Sequence, residues 1–81
     1  MPPRPRRSAG SAHSTRYRHF LALLRQARLG AGLTQNQAAS ALGKHQSFVS
    51  KCESGERRVD VIELERFARL YRRLITDFLP S

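Results

Sequence analysis

An all-α fold is what this chain predicts, on three observations. Apolar residues recur at three-and-four spacing, two capping signatures (Thr34 with Gln37, Asp60 with Glu63) mark helix starts, and glycines at 30, 32, 43 and 55 stand where helices end. No alternating strand pattern and no internal repeat competes with them. The expectation is five helices around one modest core, which is what 81 residues can build.

Composition divides the chain at about residue 15. Residues 1–15 hold three prolines and three arginines and little that can pack, so they are expected to form a disordered basic arm, with residues 16–81 as the folded domain. Tyr17, Phe20, Leu21, Leu24, Ala27 and Arg28 share one face, predicting a first helix over residues 16–29 ended by Gly30 and Gly32. The Thr34 hydroxyl and the Gln37 side chain can satisfy each other's free backbone donors and so open a second helix, which runs to Leu42. Gly43 supplies the left-handed conformation that stops it. A third helix starts near Gln46 and ends at Gly55 in the same way. Asp60 and Glu63 open a fourth, in which Val61, Leu64, Phe67, Ala68 and Tyr71 share a side and Arg66, Arg69 and Arg73 form an outward, solvated stripe. Residues 75–79 read as a final short helix halted by Pro80.

Fifteen Lys and Arg against six Asp and Glu leave a net charge of +9, a field that attracts polyanions. The longest apolar stretch, residues 20–24, is too short to cross a bilayer, and the N-terminus lacks the apolar centre of a secretory signal. A cytoplasmic protein with no membrane role is therefore expected. Cys52, the single cysteine, cannot form an internal disulfide and is expected to face the core as a small apolar residue. His13 and His19 have no cysteine or carboxylate at ligand spacing, so neither metal nor cofactor is expected. No nucleophile stands with a histidine and an orienting acid, and no glycine loop is built to cradle a phosphate, so an enzyme is not expected either.

Two short helices joined by a tight glycine turn match helix-turn-helix geometry. On a wheel of the third helix with Val49 inward, Cys52 and Glu53 lie near it, while Ser47, Ser50, Lys51 and Ser54 point away. Gln46 sits at the N-terminal end, where glutamine can bind adenine, lysine can donate to guanine and serine can serve either. The same pattern also describes a merely solvated face. Arg28 and Glu53 lie on the apolar faces of their helices, where an unpaired charge is costly, so a mutual ion pair is the simplest resolution, with two exposed charges as the alternative. Phe48 is expected to pack inward; pointing outward, it would touch a thymine methyl.

Leu33-Thr34-Gln35, Ala39, Gly43, Gln46-Ser47-Phe48-Val49-Ser50-Lys51, Glu53 and Ser54-Gly55-Glu56-Arg57-Arg58 resemble the phage-repressor and Cro-type helix-turn-helix family, also called XRE-like, over about residues 17–79. The resemblance implies a five-helix, lambda-repressor-like DNA-binding domain acting as a homodimer on a palindromic operator in double-stranded DNA. It implies that His45, Gln46, Ser47 and Lys51 face bases, with Ser50 secondary, and that Gln35, Arg57 and Arg58 hold phosphates; Lys44 joins these on the flanking backbone. Ala38, where the family more often has leucine, and Cys52, where it often has a larger aliphatic, both shrink the core beneath the motif. Arg4, Arg6 and Arg7 are candidates for a minor-groove arm or for nonspecific attraction alone. Ile75, Phe78 and Leu79 are the candidates for a dimer surface. The expected function is a bacterial or phage transcriptional regulator, a repressor. The rivals are an antitoxin that also holds a small protein partner, and a protein-interaction module without DNA binding.

Overall fold

The computed structural model describes residues 14–80, so the arginines of the basic arm lie outside the described residues. Among these residues four α-helices follow one another, α1 (Thr15–Gly30), α2 (Gln35–Ala41), α3 (Gln46–Ser54) and α4 (Val61–Tyr71), and then a 3₁₀ turn (Ile75–Phe78). Among the described residues there is no strand. The expected fifth helix is thus one tight turn. Pro80 bars the α conformation from the residue before it, Leu79 is extended (φ −90°, ψ 123°), and the chain has no room to propagate a helix.

Each helix start has a local cause. Ser14 Oγ accepts from Tyr17 N at 3.1 Å, so α1 begins one residue earlier than expected and residues 14 and 15 belong to the domain, not to the arm. Thr34 Oγ1 accepts from Gln37 N at 3.1 Å while Gln37 Oε1 accepts from Thr34 N at 2.9 Å. Asp60 and Glu63 repeat this box at 2.7 and 3.0 Å. The left-handed glycines are Gly32, Gly43 and Gly55. Gly30 is helical instead; a Cβ there would stand 2.9 Å from Arg73 Nη2, the far end of a flexible side chain that can move aside.

The helices bury their faces around Leu24, Val49, Cys52, Phe67 and Phe78, all essentially inaccessible. Ala38 and Ala39 are buried between α2 and α3, where small side chains let the two helices approach closely. Phe48 is partly buried and stacks on Phe67, with ring centroids 6.0 Å apart and planes 12° from parallel, so it packs inward as expected. Burial pushes the Cys52 thiol up to about 11.

Three expectations about the surface change. Phe78 is core, 1% exposed, and cannot form part of a dimer surface, because the 3₁₀ turn packs it against α1 and α4. Val61 is 67% exposed, since it falls about 70° from the centre of the buried stripe of α4. The arginine stripe is exposed at all three positions, as expected, but it does not lie wholly on α4. Arg66 Nη2 donates to Leu42 O at 3.1 Å, Arg73 lies past the end of α4 against Gly30, and only Arg69 makes an ordinary exposed pair, with Glu65. No described helix is long and apolar enough to cross a membrane.

Candidate nucleic-acid interface

Residues 42–45 link α2 to α3, and their geometry sets the start of α3. His45 is its N-cap, with Nδ1 accepting from Ser47 N at 3.2 Å and lying 3.1 Å from Ser47 Oγ. Acceptance at Nδ1 leaves the ring proton on Nε2. From this cap α3 presents partly exposed Gln46, Ser47 and Ser50 and exposed Lys51, while Val49 and Cys52 point into the core at 0% exposure. Ser54 stays local: its hydroxyl donates to Lys51 O and accepts from Glu56 N. The outward strip is polar along its whole length.

Beneath Gln46 runs a connected set of hydrogen bonds. Arg28 Nε donates to Glu53 Oε2 at 2.6 Å and Arg28 Nη2 to Glu53 Oε1 at 3.1 Å, a bidentate pair whose side chains are 7% and 6% exposed. The Arg28 guanidinium also donates to Leu33 O at 2.9 Å, tying α1 to the loop before α2. Its pKa is raised, first by the hydrogen bond to Glu53, against the opposing effect of burial. Gln35 Nε2 donates to the same Glu53 Oε1 at 3.0 Å, and Gln46 Nε2 donates to Gln35 Oε1 at 2.9 Å. Gln35 thus joins the core to α3, and one of its side-chain N–H groups has no partner among the described residues. Tyr71 is also buried, and its hydroxyl has no hydrogen-bond partner among the described residues. Burial pushes its ionisation upward, and the charge of Glu53 adds to the shift.

The remaining cations are held differently. Lys44 Nζ lies 5.3 Å and the Arg57 guanidinium 5.1 Å from the Phe48 ring centroid. Arg57 also donates to Glu63 Oε2 at 2.6 Å and to Arg58 O at 3.1 Å. Arg58 lies 4.3 Å over the ring of Tyr17, whose hydroxyl accepts from Val59 N at 3.1 Å. A cation already ordered on a ring loses less freedom on binding an anion.

The structure brings Gln35, Gln46, Arg28 and Glu53 into one network, sets His45, Ser47, Ser50 and Lys51 along the start and outer side of α3, and places Lys44, Arg57 and Arg58 beside two aromatic rings. Three supporting residues escape sequence reasoning. Tyr17 reads there as core alone and Glu63 as a cap alone, while Asn36, which lines the open hollow beside Gln46 and Gln35, carries no signal. No group of histidine, cysteine and carboxylate side chains among the described residues could hold a metal.

Comparison with known proteins places this geometry. The helix-turn-helix domain family matches residues 19–76. A solved structure described as an XRE-family like protein from Pseudomonas syringae pv. tomato str. DC3000 superposes with a TM-score of 0.76 at 46% identity, covering 84% of this chain and 83% of that one. No curated protein matches the sequence.

Proposed function

Because the chain belongs to the helix-turn-helix family, with an XRE-type domain, we propose that it is a sequence-specific DNA-binding transcriptional regulator that represses from a palindromic operator. One observation carries the reading: the exposed side of α3 is a polar strip, led by Gln46 and Ser47 at the helix start, free of large apolar groups and set on a rigid, core-anchored helix. In the major groove, Gln46, Ser47, Ser50 and Lys51 meet base edges, and the His45 Nε2–H reaches a base or the flanking phosphate. Lys44, Arg57, Arg58 and the remaining N–H of Gln35 pin the backbone on either side.

The symmetry of the site follows from a second copy of the chain. Leu74 and Leu79 are 70% and 55% exposed, and Ile75 is exposed beside them, an apolar margin at the C-terminal end suited to a homodimer. Two copies would read half-sites about 34 Å apart, one turn of DNA. Selection from a random duplex pool, followed by a salt titration, tests the reading. A recovered palindrome bound with steep salt dependence supports it. Equal binding to enriched and scrambled duplexes at ordinary ionic strength would falsify it.

A further inference from the structure

We propose that the hollow where α2 ends, α3 begins and α4 passes is a docking site for a partner protein, entered by one apolar side chain of an acidic segment, and that a filled hollow weakens DNA binding by taking Lys44 from the phosphate backbone. The docking stands on the hollow alone, and its effect on DNA rests on the reading above.

The hollow holds about 160 Å³. A space of about 150 Å³ between apolar side chains accepts a group the size of benzene, so this one takes a single large apolar side chain. Its walls suit such a group, being formed in part by Leu42, Phe48, Ile62 and Phe67. Phe67 lies wholly in the core and Phe48 stacks on it, so the floor is fixed before anything binds. Ile62, by contrast, is 62% exposed, and Val61 beside it is more exposed still. Two adjacent aliphatics turned to water extend the apolar surface past the hollow, which suits a protein segment better than a small molecule.

The rim sets the charge of the partner. Lys44 and Arg66 line it together with Asp60 and Glu63. Glu63 is already held, its Oε2 by Arg57 and its Oε1 by Asp60 N, and Asp60 Oδ1 accepts from Glu63 N. Neither Lys44 nor Arg66 has a carboxylate partner among the described residues: Lys44 lies against the Phe48 ring and Arg66 donates to Leu42 O. Two cations thus face one acid, Asp60, that no cation neutralises, and a carboxylate beside the incoming side chain completes the balance. That carboxylate and a DNA phosphate would compete for the same Lys44 ammonium and repel each other at close range.

Nuclear magnetic resonance titration of the full chain with two peptides tests the docking, one being acetyl-Gly-Glu-Glu-Leu-Glu-Glu-Gly-amide and the other its twin with alanine in place of leucine. Both carry the same charge, so the basic surface at large draws them equally. The leucine peptide should bind about tenfold tighter than the twin, with the largest amide shifts at residues 42–48 and 60–67. Ile62→Gln, shown by an unchanged melting temperature to be folded, brings that ratio below about threefold. Equal affinity of the twins for the unaltered chain, or shifts spread over the whole basic surface, overturns the docking site. Uncharged acetyl-leucine-amide binding as tightly as the leucine peptide gives the hollow to a small apolar molecule and overturns the acidic partner. A dimer that Ile62→Gln abolishes gives the surface to a second copy and overturns it too. On an enriched duplex, saturating leucine peptide lowers DNA affinity by about fivefold or more in the unaltered chain and by less than about twofold in Ile62→Gln. Unchanged DNA affinity with the hollow filled overturns the competition for Lys44. A chain that prefers no duplex removes the DNA-binding reading, while the peptide titration still reports whether the docking site exists.

Discussion

At the N-terminal end of α3, Gln46 hangs from hydrogen bonds that reach a buried carboxylate, whereas beyond its C-terminal end Arg57 and Arg58 lie against aromatic rings at the surface. The first arrangement is directional, since each donor has one acceptor and the chain ends in a charge shielded from water. The second is less so: a guanidinium over a ring face can slide and tilt at little cost, and of the two only Arg57 is also held by hydrogen bonds, at the surface. The difference suits two tasks. Reading a base edge needs a donor and an acceptor in fixed order, while holding a phosphate needs only charge near the right place.

The sharpest way to break the comparison is Glu53→Ala. It strands Arg28 in the core and should lower stability by about 3–5 kcal/mol, measured by thermal or urea unfolding. An unchanged melting temperature would mean that the pair is solvated and that the anchored end resembles the other.

At the opposite end, Arg57→Ala and Arg58→Ala should each leave stability within about 1 kcal/mol, because an exposed ion pair and a surface ring contact are worth little more. Each should weaken binding to all duplexes alike and reduce the slope of log affinity against log salt by about 0.9. A change in base preference from either variant would erase the division of labour between the two ends.

Smaller effects sharpen the picture beneath the anchored end. The Tyr71 hydroxyl, unpartnered among the described residues, is buried beside the charged pair, so Tyr71→Phe should leave stability unchanged or raise it by about 1 kcal/mol; a clear loss in a melting experiment would reveal a hydrogen bond that extends the network. Alkaline titration gives a related check. The folded Cys52 thiol lies at about 11 against an ordinary 9.0, so the unfolded chain loses its proton first. The contribution is fully present below pH 9 and is lost as pH rises toward 11, and Cys52→Ala should flatten the fall in unfolding free energy across that interval.

Much of this architecture is legible in the order of the amino acids. The boundaries of α3, the two capping boxes and the left-handed glycines at 43 and 55 follow from signals within a few residues of one another. The partnership of Arg28 and Glu53 is legible too, since each stands as a charge on an apolar face. A fifth helix is not, because periodicity over residues 75–79 gives no weight to the constraint Pro80 puts on Leu79. Phe78 looks available for a partner because a short apolar run does not say which of its members the core takes. Nothing local links Arg58 to Tyr17, or Glu63 to Arg57, since each of these residues already has a sufficient role.

Where helices start and stop, and which face each turns inward, was therefore determined by the chain itself, through capping and periodicity that act over three or four residues. Which polar groups meet was decided only when the helices packed. Gln35 and Glu53 stand 18 residues apart and Gln35 and Gln46 stand 11 apart, and a hydrogen bond across such separations depends on distances of tenths of an ångström between helix axes. Sequence names the donors and acceptors, and tertiary packing gives them order and direction.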